Sequence, residues 1–383
     1  MSNTNKPWRT LIAIGVLCGA LVACSDDGDN ADSATSAPDT TEATLPATDP
    51  VVTDTPTTDA AAAAWETIIA PADCKCGDGS EFSYFVRKAD PTKVLFFLEG
   101  GGACFTKETC GTDSRTYKRT VGYEDGMTDG EGIFDFANPS NPFADYSVVF
   151  VPYCTGDVHI GNATTDYGDG VVVHHNGYVN GTTALAKMAE LFPDATQLVV
   201  AGESAGSIPS PLYAGLAHDL LPEARLTVLA DGSGAYPDVP AVNVLIGTQW
   251  GTMNAVPDWP TAAGLTAEQW SLPGLFVQAG KHAPEITFGR HDYAFDDTQA
   301  SFTALAGLPA DALDQLIDRN EQQIEAGGIE LYSFISPGDQ HTVLHTDRFY
   351  TETLNGVMLV DWVWQLVSGE PLADVHCTDC KTA

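Results

Sequence analysis

Short apolar runs rich in β-branched residues recur along the 383-residue chain: "VLFFL" (94–98), "SVVFV" (147–151), "QLVVA" (197–201), "LTVLA" (226–230) and "LYSFI" (331–335). None alternates apolar with polar as a half-exposed strand does, so each reads as a strand buried on both faces. Between them lie stretches with helical character, "TTALAKMAELF" (182–192), "PSPLYAGLAHDLL" (209–221) and "PADALDQLIDRNEQQIEAGG" (309–328). The last puts Leu313, Leu316, Ile317 and Ile324 on one stripe, carries Pro309 in its first turn and ends at a glycine pair suited to a C-cap. Strands alternating with helices predict an α/β fold, a mostly parallel central sheet flanked by helices.

The pattern changes at the N-terminus. Residues 1–24 have a basic start (Lys6, Arg9), the apolar stretch "LIAIGVLCGALVA" and the box "LVAC", which together read as an export signal. The box resembles a bacterial lipobox, which implies that Cys24 becomes the lipidated first residue of an exported lipoprotein held to the membrane only through that lipid. Residues 25–64 are Thr, Asp, Ala, Pro and Ser with hardly an aromatic residue, too little apolar surface to offset the entropy of ordering, and are expected to form an acidic tether. Residues 65–383 then read as one catalytic-sized domain, with 44% hydrophobic residues in the whole chain to fill its core.

Charge and cysteines narrow the possibilities. Against 17 Lys+Arg stand 52 Asp+Glu, a formal net charge of −35 that disfavours nucleic acid or an anionic membrane surface as a partner. Of nine cysteines, Cys18 leaves with the signal and Cys24 takes the lipid. Cys74, Cys76, Cys104, Cys110, Cys154, Cys377 and Cys380 remain, an odd number that in an exported chain predicts disulfides and one leftover thiol. Zinc is the rival reading of "CKC" and "CTDC", but the pairs lie far apart in the chain without a histidine partner pattern, so no metal is expected.

The stretch "LVVAGESAGS" (198–207) carries the sharpest chemical signal. Gly-x-Ser-x-Gly alone is weak, but here the serine follows an apolar β-branched run directly and its flanking glycines leave room for a strand-to-helix elbow. A serine hydroxyl at Ser204 needs a base to become nucleophilic, and the base needs a carboxylate. His341, in a Gly-containing loop after the last expected strand, is the best-placed base, with His345 as competitor. His174 and His175 precede Ser204 and break the Ser, acid, His order, and His282 and His291 fit it only with an early acid. For the acid, Asp231 directly after "LTVLA" and Asp296 in "DYAFDDTQASF" are evenly matched on the residues alone. The glycine run of "FFLEGGGACF" (96–105) ends a strand, where backbone N–H groups can approach an oxyanion; Gly101, Gly102 and Ala205 are the candidate donors. No lysine follows at P-loop spacing, which disfavours a phosphate loop.

With "VPYCTGDVHIGN" (151–162), "HHNGYVN" (174–180), "LADGSGAYPD" (229–238), "AFDDTQASF" (294–302) and "HTVLHTDRFYTETLNGVMLVDWVWQLVSGE" (341–370), these motifs resemble, in order, the pectinacetylesterase and Notum family of serine carboxylesterases. The resemblance implies an α/β-hydrolase core, no cofactor and a Ser204, His341, Asp296 triad, the acid falling in the family's "FD-x-x-Q" stretch at Phe295, Asp296 and Gln299. Asp231 then resembles the structural aspartate of a "DSG"-type loop. It implies further that Cys104 closes a small loop with Cys110 and that Cys154 is bridged to Cys74 or Cys76, leaving Cys377 and Cys380 as further disulfide candidates. Where the family often has an aromatic residue after the double glycine, this chain has Gly102 and Ala103. The expected activity is hydrolysis of acyl, foremost acetyl, esters of a saccharide or small molecule. The alternatives are a lipase-like esterase for longer acyl chains and a hydrolase-fold surface lipoprotein without turnover. Pectin itself is disfavoured, because a protein of charge −35 repels a polyanion except where salt shortens the screening length to about 8 Å or less.

Overall fold

The computed structural model describes residues 64–122 and 130–381. The expected signal at 1–24, the lipid site at Cys24 and the tether at 25–64, save its last residue, lie outside the described residues.

In chain order the strands are β1 (Trp65–Ile69), β2 (Ser83–Arg87), β3 (Asp90–Leu98), β4 (Tyr146–Val151), β5 (Ala163–Asp166), β6 (Val172–His175), β7 (Gln197–Glu203), β8 (Arg225–Asp231), β9 (Thr287–Tyr293), β10 (Leu331–Ser336), β11 (Thr353–Leu354), β12 (Val357–Met358) and β13 (Val375–His376). The helices are α1 (Lys107–Cys110), α2 (Gly177–Leu191), α3 (Ser210–Leu220), α4 (Pro240–Gln249), α5 (Leu272–His282), α6 (Asp297–Leu305), α7 (Leu313–Ala326) and α8 (Leu359–Ser368). Nine strands form one sheet in the order β1-β2-β4-β3-β7-β8-β9-β10-β13. The pairings β1/β2 and β2/β4 are antiparallel and the rest parallel.

Alternation along the central strands explains why they read as continuous apolar runs. Val94, Phe96 and Leu98 of β3 and Leu198 and Val200 of β7 join one buried cluster with Leu185 and Met188 of α2, Leu212 of α3 and Phe276 of α5. Leu95, Phe97, Val199 and Ala201 point the other way, into a second cluster with Trp362, Val363 and Leu366 of α8. Both faces are therefore core. The helix expected to carry Pro309 in its first turn starts later: Pro309 precedes a short 3-10 turn at Ala310–Ala312, and α7 begins at Leu313. It ends at Ala326, directly before the glycine pair, with Gly327 at the C-cap and Gly328 at φ +88°.

Candidate active site

At the end of β7 the chain turns sharply. Ser204 adopts φ +51°, a left-handed conformation that costs a non-glycine residue about 1–3 kcal/mol. The flanking glycines are obligatory for this turn. A Cβ on Gly202 would lie 2.2 Å from Gly206 O, and one on Gly206 would lie 2.0 Å from Leu98 O at the end of β3. The elbow is thus wedged against the strand that feeds the glycine loop.

That loop is held from both sides. Lys118 N donates to Gly101 O at 2.9 Å, Ala103 N to Thr116 O at 3.0 Å and Cys104 N to Gly156 O at 2.9 Å. Gly101 and Gly102 have φ +155° and +77°, and a Cβ on Gly102 would lie 2.0 Å from Thr116 O. Among the described residues the Gly101 and Gly102 N–H groups make no hydrogen bond. Ala205 lies in the 3-10 turn Ser204–Gly206, whose first amides have no partner inside the turn.

Among the described residues each candidate acid is buried and paired with a histidine. His341 Nδ1 lies 2.7 Å from Asp296 Oδ2, and His291 Nδ1 lies 2.8 Å from Asp231 Oδ1. Solvent access separates them. The His341 side chain is 23% exposed and lines a chamber with Ser204, whereas His291 is 1% exposed and its Nε2 faces Ser336 Oγ at 3.2 Å. Asp231 Oδ2 also accepts from Val343 N and Leu344 N, at 2.7 and 3.0 Å, so it fixes the loop behind His341. His341 Nε2 is buried without a hydrogen-bond partner among the described residues.

Asp296 is the N-cap of α6, its Oδ1 accepting from Thr298 N at 2.8 Å and Gln299 N at 2.9 Å. Gln299 explains its place in the "FD-x-x-Q" stretch: Nε2 donates to Asp296 Oδ2 at 3.1 Å and Asp292 Oδ1 at 3.0 Å, while Oε1 accepts from Ala235 N at 2.9 Å. Backbone bonds from Phe295 N to Gly338 O and from Asp297 N to Asp339 O tie the acid's loop to the histidine's. Burial disfavours a charged His341, but the hydrogen bond and charge of Asp296, with Asp231 and Glu203 further off, outweigh it and raise the pKa above the ordinary histidine value.

The other histidines lie elsewhere. His345 Nδ1 is 2.8 Å from Glu203 Oε2, and its ring stacks near Phe134. His174 and His175 bond to Thr164 and to Tyr167 and Thr155 O, and His282 stacks on Trp259. Three disulfides form, Cys76–Cys154, Cys104–Cys110 and Cys377–Cys380, and Cys74 is a buried thiol. His175 sits near the sulfurs of Cys104 and Cys110, but their mutual bond leaves no thiolate to hold a metal.

Ser204 stands between two chambers. One, of about 360 Å³, is walled by apolar side chains including Val158, Ile208, Leu245, Ile246, Trp250 and Phe302. The other, of about 470 Å³, holds His341, Glu203, Arg115 and Lys118. Sequence reading missed the first, because its wall is built by α4, α6 and connecting loops whose apolar residues do not form a clear stripe.

The sheet, the elbow and the serine, histidine and aspartate gathered at its strand ends define an α/β-hydrolase fold. The structure titled as the Wnt deacylase Notum from Drosophila superposes with a TM-score of 0.58 at 16% identity, covering 81% of this chain and 95% of that one. The pectinacetylesterase family model matches residues 60–257, over half of the chain, and the protein belongs to that family. Palmitoleoyl-protein carboxylesterase notum2 of Xenopus laevis is 32% identical over 139 residues, 34% of this chain and 27% of the relative. Pectin acetylesterase 5 of Arabidopsis thaliana is 26% identical over 173 residues, 44% of this chain and 40% of the relative. The matched stretches thus span well under half of these relatives.

Proposed function

We propose that the protein is a serine carboxylesterase in which Ser204, His341 and Asp296 act as nucleophile, base and orienting acid. The observation that carries this reading is the 2.7 Å hydrogen bond between buried Asp296 and His341, beside the chamber that Ser204 and His341 both line. In the reaction, Ser204 Oγ attacks the ester carbonyl carbon while His341 Nε2 takes its proton. Asp296 holds Nδ1–H, which keeps Nε2 as the accepting nitrogen and stabilises the imidazolium. The N–H groups of Gly101, Gly102 and Ala205 receive the oxyanion, each such donor being worth about 3 kcal/mol. As the carbonyl re-forms, the alcohol departs with the proton from His341. Water then attacks the acyl-enzyme, giving a proton to His341, which passes it to Ser204 Oγ as the tetrahedral intermediate collapses to free acid and regenerated serine.

The two chambers suit the two halves of an ester. The apolar one suits the acyl chain, and the one with Arg115 and Lys118 suits a polar alcohol such as a saccharide. An apolar space of about 360 Å³ exceeds what an acetyl group fills. It therefore favours the longer-chain alternative over acetyl as the preferred acyl group. Each added buried methylene contributes about 0.8 kcal/mol, close to fourfold in kcat/KM. The naming of relatives as palmitoleoyl-protein carboxylesterases agrees with an apolar acyl group, and the naming of another as a pectin acetylesterase agrees with a saccharide alcohol. The exported, Cys24-lipidated form belongs to the same reading; Cys24→Ser is expected to release the protein from membranes, and retention would refute the anchor.

The test is hydrolysis of p-nitrophenyl acetate, butyrate and octanoate by the full chain. kcat/KM is expected to rise from acetate to octanoate, and Ser204→Ala to fall by about 10⁴-fold or more. A Ser204→Ala variant that keeps its activity would refute the assignment, and a series that peaks at acetate would refute the acyl chamber.

A further inference from the structure

The residue before the nucleophile in "GESAG" is a glutamate, and its side chain reaches into the histidine loop. Glu203 Oε2 lies 2.8 Å from His345 Nδ1 and accepts from Thr342 Oγ1 at 3.4 Å, with only 14% of the side chain exposed. The His345 ring is itself fixed among Phe134, Phe97 and Phe150, at centroid distances of 4.6, 5.2 and 6.2 Å. The stem of Glu203 packs under the glycine loop, where a Cβ on Gly100 would lie 3.3 Å from its Cγ. Ser204 and Thr342, the residues that Glu203 precedes and holds, are both non-glycine residues at positive φ, +51° and +62°.

Such conformations persist only where the surroundings over-determine them. Three carboxylates do so here, each on different residues of one loop: Asp296 on His341, Glu203 on Thr342 and His345, and Asp231 on Val343 and Leu344. Asp231 binds the loop to the end of β8, and Asp296 binds it to the segment that follows β9. Glu203 binds it to the elbow.

We propose that Glu203 is a positioning residue that clips the His341 loop to the Ser204 elbow and so sets the distance between hydroxyl and imidazole. A nucleophile and base carried by separate strand ends must be held within about 0.5 Å of productive geometry, and a carboxylate covalently next to one, accepting from Thr342 and in ion-pair contact with His345 on the other's loop, does this directly. Its charge also acts on the imidazolium formed during attack, together with Asp296 and Asp231, in a chamber that Lys118 and Arg115 line as well. The proposal rests on the triad reading above.

The test compares Glu203→Ala, Glu203→Gln and His345→Gln with wild type on p-nitrophenyl butyrate, reading kcat, KM, the pH profile, circular dichroism and labelling by a fluorophosphonate probe. A misplacement near 1 Å costs about 10²-fold, so Glu203→Ala is expected to lose about that factor in kcat with KM within about twofold. Glu203→Gln keeps the acceptor for Thr342 and is expected to recover most of kcat while its acid limb moves to lower pH. His345→Gln, which leaves the carboxylate in place but loosens its anchor, is expected to lose about tenfold in kcat. Wild-type kcat and acid limb in folded Glu203→Gln, with unchanged kcat in His345→Gln, would overturn the clip even if Glu203→Ala does not fold. Failure of the triad reading looks different: wild type would then escape the probe, or Ser204→Ala would stay active.

Discussion

Replacing Asp231 and Asp296 in turn with asparagine separates two carboxylates that are equally buried and equally bonded to a histidine. Asp231→Asn removes a charge that accepts from His291 Nδ1, Val343 N and Leu344 N. The remaining amide oxygen can serve the two loop amides, so the loss is that of three charge-assisted bonds turned into weaker neutral ones, about 2–3 kcal/mol in all. Asp231→Ala leaves two buried amides and an imidazole nitrogen without a partner, about 3–9 kcal/mol, which approaches the whole stability of an ordinary domain. Asp296→Asn keeps the cap on Thr298 N and Gln299 N but turns an N–H donor toward His341. The imidazole then accepts at Nδ1 and carries its proton on Nε2, where it cannot take one from Ser204. The new donor also faces Gln299 Nε2, so the expected loss in kcat of about 10⁴-fold comes with a loss of stability of about 1–3 kcal/mol. Thermal unfolding and p-nitrophenyl butyrate kinetics on both variants decide the matter: Asp231→Asn is expected to lower Tm by several degrees and Asp296→Asn to abolish turnover. An Asp296→Asn enzyme with near-normal kcat, beside a folded and inactive Asp231→Asn, would invert the assignment.

Other consequences are open to measurement. His341 must be neutral to accept a proton, so kcat/KM falls as pH drops through its raised pKa; the acid limb is expected above the ordinary histidine range, and a limb below it would contradict the Asp296 contact. Breaking Cys76–Cys154, with a separation of 78 residues, is expected to cost about 4 kcal/mol, and breaking Cys104–Cys110, with a separation of 6, about 2 kcal/mol. Calorimetry of the two double-serine variants checks the order, and equal losses would contradict it. Gly206→Ala pushes a methyl group into Leu98 O and is expected to cost about 3 kcal/mol or more, seen as loss of soluble protein or a large fall in Tm.

The strands legible in the sequence were those that bury apolar side chains on both faces, β3, β4, β7, β8 and β10. β9 escaped notice because "TFGRHDY" is buried through charge: Arg290 Nε lies 2.8 Å from Asp292 Oδ2, and His291 meets Asp231. A hydrophobicity pattern carries no record of partners that distant in the chain. The same limit left Asp231 and Asp296 level, since each has a histidine 2.7–2.8 Å away and only the fold shows which ring lines a cavity. His345, four positions after His341, turns its ring into aromatic core beside Phe97 and Phe134. Glu203 gave no signal of its own, because a glutamate at that position is indistinguishable from the surface acids of so acidic a chain.

The two outermost strands of the large sheet come from the two ends of the described chain, β1 at Trp65–Ile69 and β13 at Val375–His376. Each covers a neighbour, β2 of equal length on one side and the longer β10 on the other, whose outward amides and carbonyls would otherwise be bare. Shortened versions that start after Ile69 or stop before Val375 are therefore expected to stick to one another edge to edge, and any fusion partner or affinity handle belongs outside residues 65–380.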